Sequence, residues 1–498
     1  MTDEIKRAKS RVPYALLVAI GILAVAIIAW AKGYINFGSV KGMLAFIFIL
    51  GAAVVLHEFG HFIVAKLLKI RVETFSVGFG PRILGRKWGT TDYRLSAIPL
   101  GGYVKLGGDE SNAPIEGEGD SDIPPEEQFN LRPRWQKFLV AVAGPVMNIL
   151  TALAIPFIGG LMYGVPVTPA PVVRNMTQGG AAEAAGLQKG DRIISFNGTE
   201  NPKWDTIRGD ALLSPEKPLP LVVERNGQKL ELSISPAKRV ESGETIGDIG
   251  FLPDYGNVPI LVSGVSVGSP AEQSGLQVDD RIVSIGGEQV SSSQQVRDYI
   301  RDHPNEPITF VVERQGQQKE LTATGRMADG KLGLSPKEDL PYENVGFAGT
   351  ARYALDYNLE ILRLTGKAIG QLFSGERSAR NTFSGPIGIY EAASNSVNEA
   401  GWGGIFSMLG FLSLSLGVFN LLPIPVLDGG AIFLLLVEAV LSVVGLKLSM
   451  RVRERIQQVG FVMLLLLMGF VITNDLIKKV SRNSDENKPP AATTAPQK

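Results

Sequence analysis

The sequence contains no cysteine and only three histidines among its 498 residues. The absence of cysteine excludes thiol catalysis, thiolate metal sites and disulfide bonds. Basic and acidic side chains balance, with 49 of each, so no excess of positive charge indicates a nucleic-acid partner. A chain of this length comprises several domains, and its apolar residues are concentrated in a few long runs.

Two of the three histidines lie one helical turn apart in a His-Glu-x-x-His motif. His57, Glu58 and His61 fall inside an apolar run from Met43 to Ile70. On a helix the two imidazoles face the same side and can bind one zinc ion, while the carboxylate beside them can accept a proton from water. Polar side chains in a membrane-spanning helix are costly unless they have partners or a function. The motif therefore favours a zinc site over a pair of core histidines.

Five apolar segments are long enough to cross a bilayer. A signal peptide is the alternative for the first, but its length and the lack of a clear small-residue cleavage site favour a retained anchor. The fourth is too long for one simple crossing and is interrupted by prolines near residues 420–430. The predicted spans are 13–31, the helix of the His-Glu-x-x-His motif, 138–163, 405–445 and 458–474.

The basic clusters predict the orientation of these spans. If the N-terminus is cytoplasmic, the clusters at 6–11, 66–71, 132–137 and 447–455 all face the cytoplasm, and only the weaker group at 478–482 does not. Residues 165–400 then lie outside the membrane.

The predicted outer region contains an internal repeat. Residues 181–194 recur at 270–283, and residues 222–225 recur at 311–314, both at an offset of 89. The Gly-Leu turn followed by Asp-Arg-Ile resembles PDZ domains, which add a peptide strand to a sheet edge and capture a C-terminal carboxylate. A plain spacer is the alternative.

Two segments have the composition of disordered chain. Residues 107–128 are rich in Gly, Pro, Asp and Glu, and residues 481–498 form a polar tail. Both are predicted to be linkers without a binding role.

A catalytic zinc site has three protein ligands and one open position, so the histidine pair needs a partner. The third histidine, His303, is predicted to lie in a surface loop of the second repeat. Asp428 is the best candidate, because it follows two helix-breaking prolines and precedes two glycines that allow another backbone to approach. Glu438 is the competing candidate, and its alternative role is that of a polar residue near a helix end.

These motifs together resemble the site-2 protease family of intramembrane zinc metalloproteases, in its bacterial RseP type. The resemblance is carried by the His-Glu-Phe-Gly-His motif, by Asn-Leu-Leu-Pro-Ile-Pro-Val-Leu-Asp-Gly-Gly at 420–430 and by the tandem repeats. Supporting stretches lie at 79–81, 98–105, 143–148 and 383–389. The resemblance covers nearly everything from residue 46 to residue 475, and the extra N-terminal span departs from the usual arrangement.

The resemblance implies a role for each matching position. Zinc would be bound by His57, His61 and Asp428, and Glu58 would act as general base and then as general acid. Asn420 would hold the substrate backbone, and the further substrate-binding positions would be Pro423, Gly101 and Gly102. Residues 72–106 would form a membrane-associated β-hairpin whose edge pairs with an unwound substrate.

The expected fold is a polytopic α-helical membrane protein with about five spans, two inserted PDZ-like α+β domains and the membrane-associated hairpin. The expected segments are 1–36 (anchor), 42–165 (first part of the catalytic core), 168–255 and 256–337 (PDZ-like), 338–402 (amphipathic connection), 403–480 (second part of the core) and 481–498 (tail).

The predicted function is zinc-dependent intramembrane cleavage of single-span membrane substrates, of the anti-sigma factor or remnant signal peptide type. Its setting is the inner membrane of a bacterium, with peptide C-termini bound by the PDZ-like domains on the periplasmic side. A catalytically silent PDZ-containing membrane adaptor is the main alternative, but it would not need an intact His-Glu-x-x-His motif and a distant aspartate. A metal transporter would need more intramembrane ligands than the spans offer.

Overall fold

The computed structural model describes residues 40–109, 122–241, 244–256, 258–266, 268–304, 306–327, 331–378, 384–446 and 449–486. The first predicted span, 13–31, lies outside the described residues, as does most of the predicted linker at 107–128. The predicted tail at 481–498 is helical as far as Glu486, and the rest lies outside the described residues.

Ten helices are described, and five of them contain 28 residues or more. They are α1 (Val40–Leu67), α2 (Arg134–Tyr163), α3 (Ala181–Ala184), α4 (Trp204–Leu212), α5 (Pro270–Gln273), α6 (Ser293–Asp302), α7 (Gly346–Phe373), α8 (Pro386–Asn420), α9 (Asp428–Val443) and α10 (Met450–Glu486). Two short 3-10 turns, Pro125–Glu127 and Phe129–Leu131, precede α2.

Eighteen strands are described. They are β1 (Val72–Trp88), β2 (Thr91–Leu106), β3 (Val165–Pro166), β4 (Ala170–Met176), β5 (Arg192–Phe196), β6 (Thr199–Glu200), β7 (Leu219–Arg225), β8 (Gln228–Ile234), β9 (Ala237–Glu241), β10 (Glu244–Asp248), β11 (Phe251–Asp254), β12 (Ile260–Val265), β13 (Arg281–Ile285), β14 (Glu288–Gln289), β15 (Ile308–Arg314), β16 (Gln317–Ala323), β17 (Leu334–Glu338) and β18 (Tyr342–Glu343).

Four helical segments within the described residues are long and apolar enough to cross a membrane. They are Val40–Leu67, Arg134–Tyr163, Ala400–Asn420 and Arg455–Lys478. They correspond to the second to fifth predicted spans. The fourth is divided as the prolines predict, because α8 ends at Asn420 and α9 begins only at Asp428. Helix α8 is itself kinked at Gly401, whose backbone is not helical.

Strands β1 and β2 form an antiparallel hairpin directly after α1. The hairpin folds back on itself, so that Phe75 lies opposite both Tyr93 and Val104. The first half of β1, residues 72–79, alternates between buried and half-buried residues, whereas the tip of the hairpin, residues 80–90, is exposed. The ladder is interrupted between Ile98, opposite Phe79, and Gly102, opposite Val77. The second strand therefore carries a short stretch of backbone, 99–101, outside that register.

The two sequence repeats form two sheet domains. In the first sheet domain, 170–254, the strand order is β11-β4-β5-β7-β8, with β6 beside β5. In the second sheet domain, 260–338, the order is β16-β15-β13-β12-β17, with β14 beside β13. Each has its own apolar core, centred on Phe196 in the first and Phe310 in the second. A core of this kind stabilises each unit through burial of its own apolar surface.

The same ion pair recurs in both sheet domains at the repeat offset. Asp191 is buried and receives two hydrogen bonds from Arg225, each 2.7 Å long. Asp280 and Arg314 form the equivalent pair at 2.6 and 2.7 Å. Each arginine also donates to the carbonyl of the glycine in the Gly-Leu turn, so that a bidentate pair fixes this turn to the sheet.

Helix α7 connects the first sheet domain to α2. Towards the sheet domain, Arg363 and Lys367 pair with Asp210 at 2.8 and 2.9 Å. Towards α2, the buried Asn358 donates to the carbonyl of Ala152. That carbonyl has no donor within its own helix, because the residue four positions on, Pro156, has no N–H. The amide of Asn358 therefore satisfies a backbone group that would be costly in an apolar environment.

Candidate metal centre

Three side chains from α1 and α9 converge beside α2. His57 and His61 lie one turn apart on α1, and Asp428 is the first residue of α9. Nε2 of His57 lies 3.2 Å from Nε2 of His61. Oδ2 of Asp428 lies 3.0 Å from Nε2 of His57 and 3.5 Å from Nε2 of His61. The sequence-predicted ligand set is therefore brought together.

The three converging atoms have the spacing of a tetrahedral zinc site. Zinc–nitrogen and zinc–oxygen bonds of about 2.0–2.1 Å separate neighbouring ligand atoms by about 3.3 Å. All three ligand atoms of this cluster lie within 4.8 Å of one another. Two imidazoles and one carboxylate are also the donor types that zinc accepts in catalytic sites, where a fourth position stays open. The residues present fit the ion.

The hydrogen bond behind His61 fixes its tautomer. Nδ1 of His61 lies 2.7 Å from the carbonyl oxygen of Val140 on α2. A carbonyl only accepts, so Nδ1 carries the hydrogen and donates it. In a neutral imidazole the lone pair is then on Nε2, the atom that faces Asp428 and His57. Helix α2 therefore orients this ring for metal binding.

Helices α1 and α2 approach each other closely at the site. A Cβ atom on Gly60 would overlap with the carbonyl of Ala143, and a Cβ atom on Gly144 would overlap with Nε2 of His61. Both glycines are buried. The absence of a side chain at Gly144 leaves the space in which the two imidazoles stand.

The broken segment between α8 and α9 delivers the carboxylate. Residues 421–427 are non-helical, and Asp428 begins the next helix. Gly429 and Gly430 pack against the backbone of this segment, where a Cβ atom would overlap with the carbonyls of Leu422 and Ile424. This is the close approach that the two glycines predict.

Glu58 faces the second strand of the hairpin. The carboxylate of Glu58 lies near both histidines and Asp428, and the backbone amide of Val104 faces it. Upstream, β2 lies against α1, because a Cβ atom on Gly101 would approach Val54 and a Cβ atom on Gly102 would lie 3.5 Å from Val55. Both glycines are buried. A Cβ atom on Gly101 would overlap with the ring of Phe79, and one on Gly102 would overlap with the carbonyl of Ser76, so the lack of side chains lets the two strands of the hairpin pack closely beside this helix.

The remaining sequence-predicted residues are not among the three converging ligands. Asn420 is the half-buried last residue of α8, and Pro423 is exposed in the non-helical segment. Glu438, the competing ligand candidate, pairs with Arg453 instead. His303 lies in the second sheet domain, where its ring stacks on Tyr299 and donates to the carbonyl of that residue.

The role of α2 was not predicted from the sequence. Its residues Val140, Gly144 and Asn148 contact the two histidines, and Asn148 is fully buried with its amide 3.3 Å from Nδ1 of His57. An asparagine inside a strongly apolar span is the signal that could have revealed it, because a buried amide in such a helix needs a partner.

Comparison with known proteins shows a similarity that extends over most of the chain. The model of Peptidase family M50 matches residues 45–467. The regulator of sigma-E protease RseP of Salmonella typhimurium is 32% identical over 467 residues, covering 87% of this chain and 98% of the relative. The protein of the same name from Escherichia coli is 32% identical over 459 residues, covering 87% and 98%. A protein described as a zinc metalloprotease in Vibrio cholerae is 31% identical over 476 residues, covering 87% and 98%.

Substitution of Gly144 tests whether the space at the helix crossing is needed for the metal. Gly144→Ala should reduce the zinc content of the purified protein to less than half, because the new methyl group displaces His61. Gly159→Ala on the same helix is the matched control, since a Cβ atom there meets nothing within 4 Å. Zinc measured by elemental analysis on both variants checks the prediction, and full zinc content in a folded Gly144→Ala protein would contradict it.

Proposed function

The chain belongs to peptidase family M50 and is a zinc metalloprotease, and from this premise we propose that His57, His61 and Asp428 hold the zinc ion and that Glu58 is the catalytic base. The observation that carries the proposal is that these three ligand atoms converge beside Glu58. All four residues lie within the region that the family model matches. The same site argues against a catalytically silent adaptor, which would need none of the four residues.

Bound zinc supplies a Lewis acid that polarises the peptide carbonyl and acidifies water. Glu58 takes a proton from the attacking water and then gives it to the amine of the departing peptide. Its position one residue after His57 places it on the same helix as two ligands and keeps it out of the ligand set. Its carboxylate is therefore not used to bind the metal and can transfer protons.

The substrate of this site has to be extended. A helical membrane segment hides its peptide bonds, and once it is unwound its N–H and C=O groups need partners in the bilayer. The backbone at 99–101 lies outside the ladder of the hairpin, beside the motif helix. We propose that this stretch of β2, including Gly101, pairs with the substrate, and that Gly102, which lies opposite Val77, marks the end of the stretch. Asn420 and Pro423 then contact the substrate from the other side.

The relatives from Salmonella typhimurium and Escherichia coli bear the name of a sigma-E regulator. We propose that this chain likewise cleaves a single-span membrane protein, of the anti-sigma factor or remnant signal peptide type, in regulated intramembrane proteolysis. The four apolar helices make the chain a membrane protein, and these relatives come from bacteria. The inner membrane is the setting that we propose.

The distinct roles of Glu58 and Asp428 can be separated by experiment. Glu58→Gln should lower the cleavage rate of a model membrane substrate by about 10²–10⁴-fold while zinc stays bound, because only proton transfer is lost. Asp428→Asn should lower both zinc content and activity, because the site loses a charged ligand. Zinc analysis and cleavage assays on the two proteins check this. Normal turnover by Glu58→Gln would contradict the mechanism, and normal zinc content in Asp428→Asn would exclude it as the third ligand.

We further propose that both sheet domains face the periplasm and that the segment before α2 faces the cytoplasm. The positive-inside distribution of Lys and Arg supports this orientation. Because the chain has no cysteine, single cysteines can be introduced on an empty background.

The proposed orientation predicts which side reacts with an impermeant thiol reagent. In intact spheroplasts Lys229→Cys, exposed in the first sheet domain, should be labelled, whereas Asp122→Cys, exposed before α2, should be labelled only after lysis. Labelling of Asp122→Cys in intact spheroplasts would contradict the orientation.

We propose that the two sheet domains are PDZ-like and control access to the site. A cleft of about 680 Å³ lies between them, lined by α4 and β11 of the first and by α6 of the second. Strand β11 is at the edge of its sheet, so its free backbone groups can take up an extended peptide, such as the C-terminus left by an earlier cut. Folded domains at this position would obstruct substrates that still carry a bulky outer domain.

The attachment of the first sheet domain to α7 is the contact on which such control would act. The buried Asp210 is held by Arg363, Lys367 and the amide of Asn197. Burial by itself raises the pKa of Asp210, but these hydrogen bonds outweigh it and hold the pKa below the usual value of 3.8. The contact is therefore fully present above about pH 5 and is lost only as the pH falls through this lowered pKa. It is intact at neutral pH.

Removal of the Asp210 charge should loosen this attachment. Asp210→Asn leaves Arg363 and Lys367 facing a neutral amide, so cleavage of a substrate with an intact outer domain should rise several-fold at pH 7, while a trimmed substrate is cut at the normal rate. Asp205→Asn, an exposed position on the same helix, is the matched control. Equal rates for wild type and Asp210→Asn on the untrimmed substrate would contradict the proposed control.

A further inference from the structure

Asn148 lies in the middle of α2, behind the first zinc-ligand candidate. Its side chain has no exposed surface. Its amide nitrogen lies 3.3 Å from Nδ1 of His57, and its Oδ1 has no hydrogen-bond partner among the described residues. A buried carbonyl oxygen without a partner is destabilising, so the amide is not in its most stable arrangement when its nitrogen faces His57.

The chemistry of zinc binding decides which end of the amide faces His57. A histidine that gives its Nε2 lone pair to zinc carries its hydrogen on Nδ1, which is then a donor. An amide NH₂ group cannot accept that hydrogen, whereas the amide oxygen can. The two ends of the amide have nearly the same shape, so a half-turn of the group exchanges them without a steric cost.

We propose that Asn148 is a positioning residue whose Oδ1 accepts the Nδ1 hydrogen of His57 and holds Nε2 towards the metal. This inference rests on the proposed zinc ligation by His57. It gives the buried Oδ1 a partner and fixes both the tautomer and the orientation of the ring.

The proposed arrangement makes the support of the two histidines equivalent. Val140 accepts from Nδ1 of His61, and Asn148 accepts from Nδ1 of His57, so both acceptors come from α2. Helix α8 closes the space next to Asn148, because the ideal Cβ position at Gly417 lies 3.3 Å from the Cβ of Asn148. The packing leaves the amide little freedom to move away from the imidazole.

The test compares zinc affinities of the full-length protein in detergent, measured by competition with a chelator. Asn148→Leu should weaken zinc binding by about 10–100-fold, the usual effect of losing a partner behind a metal-binding histidine. Asn148→Asp should bind zinc at least as tightly as wild type, because a carboxylate also accepts from Nδ1. Asn148→Ala replaces Asn148→Leu if the larger side chain prevents folding. Asn358→Leu, a buried asparagine of α7 against the same helix, is the control and should keep wild-type affinity.

The variants test the positioning role, the acceptor role and the zinc ligation by His57 separately. Wild-type affinity in a folded Asn148→Leu or Asn148→Ala protein would overturn the positioning role. Weakened binding in Asn148→Asp equal to that in Asn148→Leu would overturn the acceptor role. His57→Ala tests the proposed function separately, because wild-type zinc affinity in that variant would remove His57 from the ligand set whatever Asn148 does.

Discussion

The site depends on how closely α1 and α2 cross. Two imidazoles stand between helices whose backbones approach at Gly60 and Gly144, and α2 carries the groups behind both rings. In a bilayer the Nδ1 hydrogens could not be left without acceptors, because no water is available to take them. The crossing therefore has two effects: with the arrangement proposed for Asn148 it supplies both acceptors, and it leaves the Nε2 atoms directed to one point.

A second constraint concerns irregular backbone at membrane depth, which is tolerated only where it is packed on protein or lines a cavity. Residues 421–427 satisfy this condition, since Gly429 and Gly430 let the following helix pack back on their carbonyls. The break has a chemical result, because a helix that starts at Asp428 presents its carboxylate at a terminus, close to the histidines. An uninterrupted span would have carried that residue along its side.

The meeting of His57, His61 and Asp428 was predictable from the sequence because residue type, spacing and the Pro-Gly context all restrict the candidates. His57 and His61 follow from helical periodicity, and Asp428 was preferred to Glu438, which the structure places against Arg453. The positions of the spans from residue 40 onward and the repeat were predictable for the same reason, as local patterns.

The contributions of Gly144 and Asn148 were not predicted, because an apolar periodicity does not specify which residues of two helices meet. The course of α7 was also missed: its amphipathic pattern does not show that Asn358 reaches a carbonyl freed by Pro156.

The order of the ligands along the chain has a consequence for biosynthesis. The two histidines are on the first described helix, whereas Asp428 begins the ninth of the ten described helices. During translation the helix that carries the two histidines and Glu58 therefore enters the membrane before Asp428 has been synthesised. With the zinc ligation proposed above, the chain therefore cannot complete the metal site until α9 has joined the helices that were inserted before it.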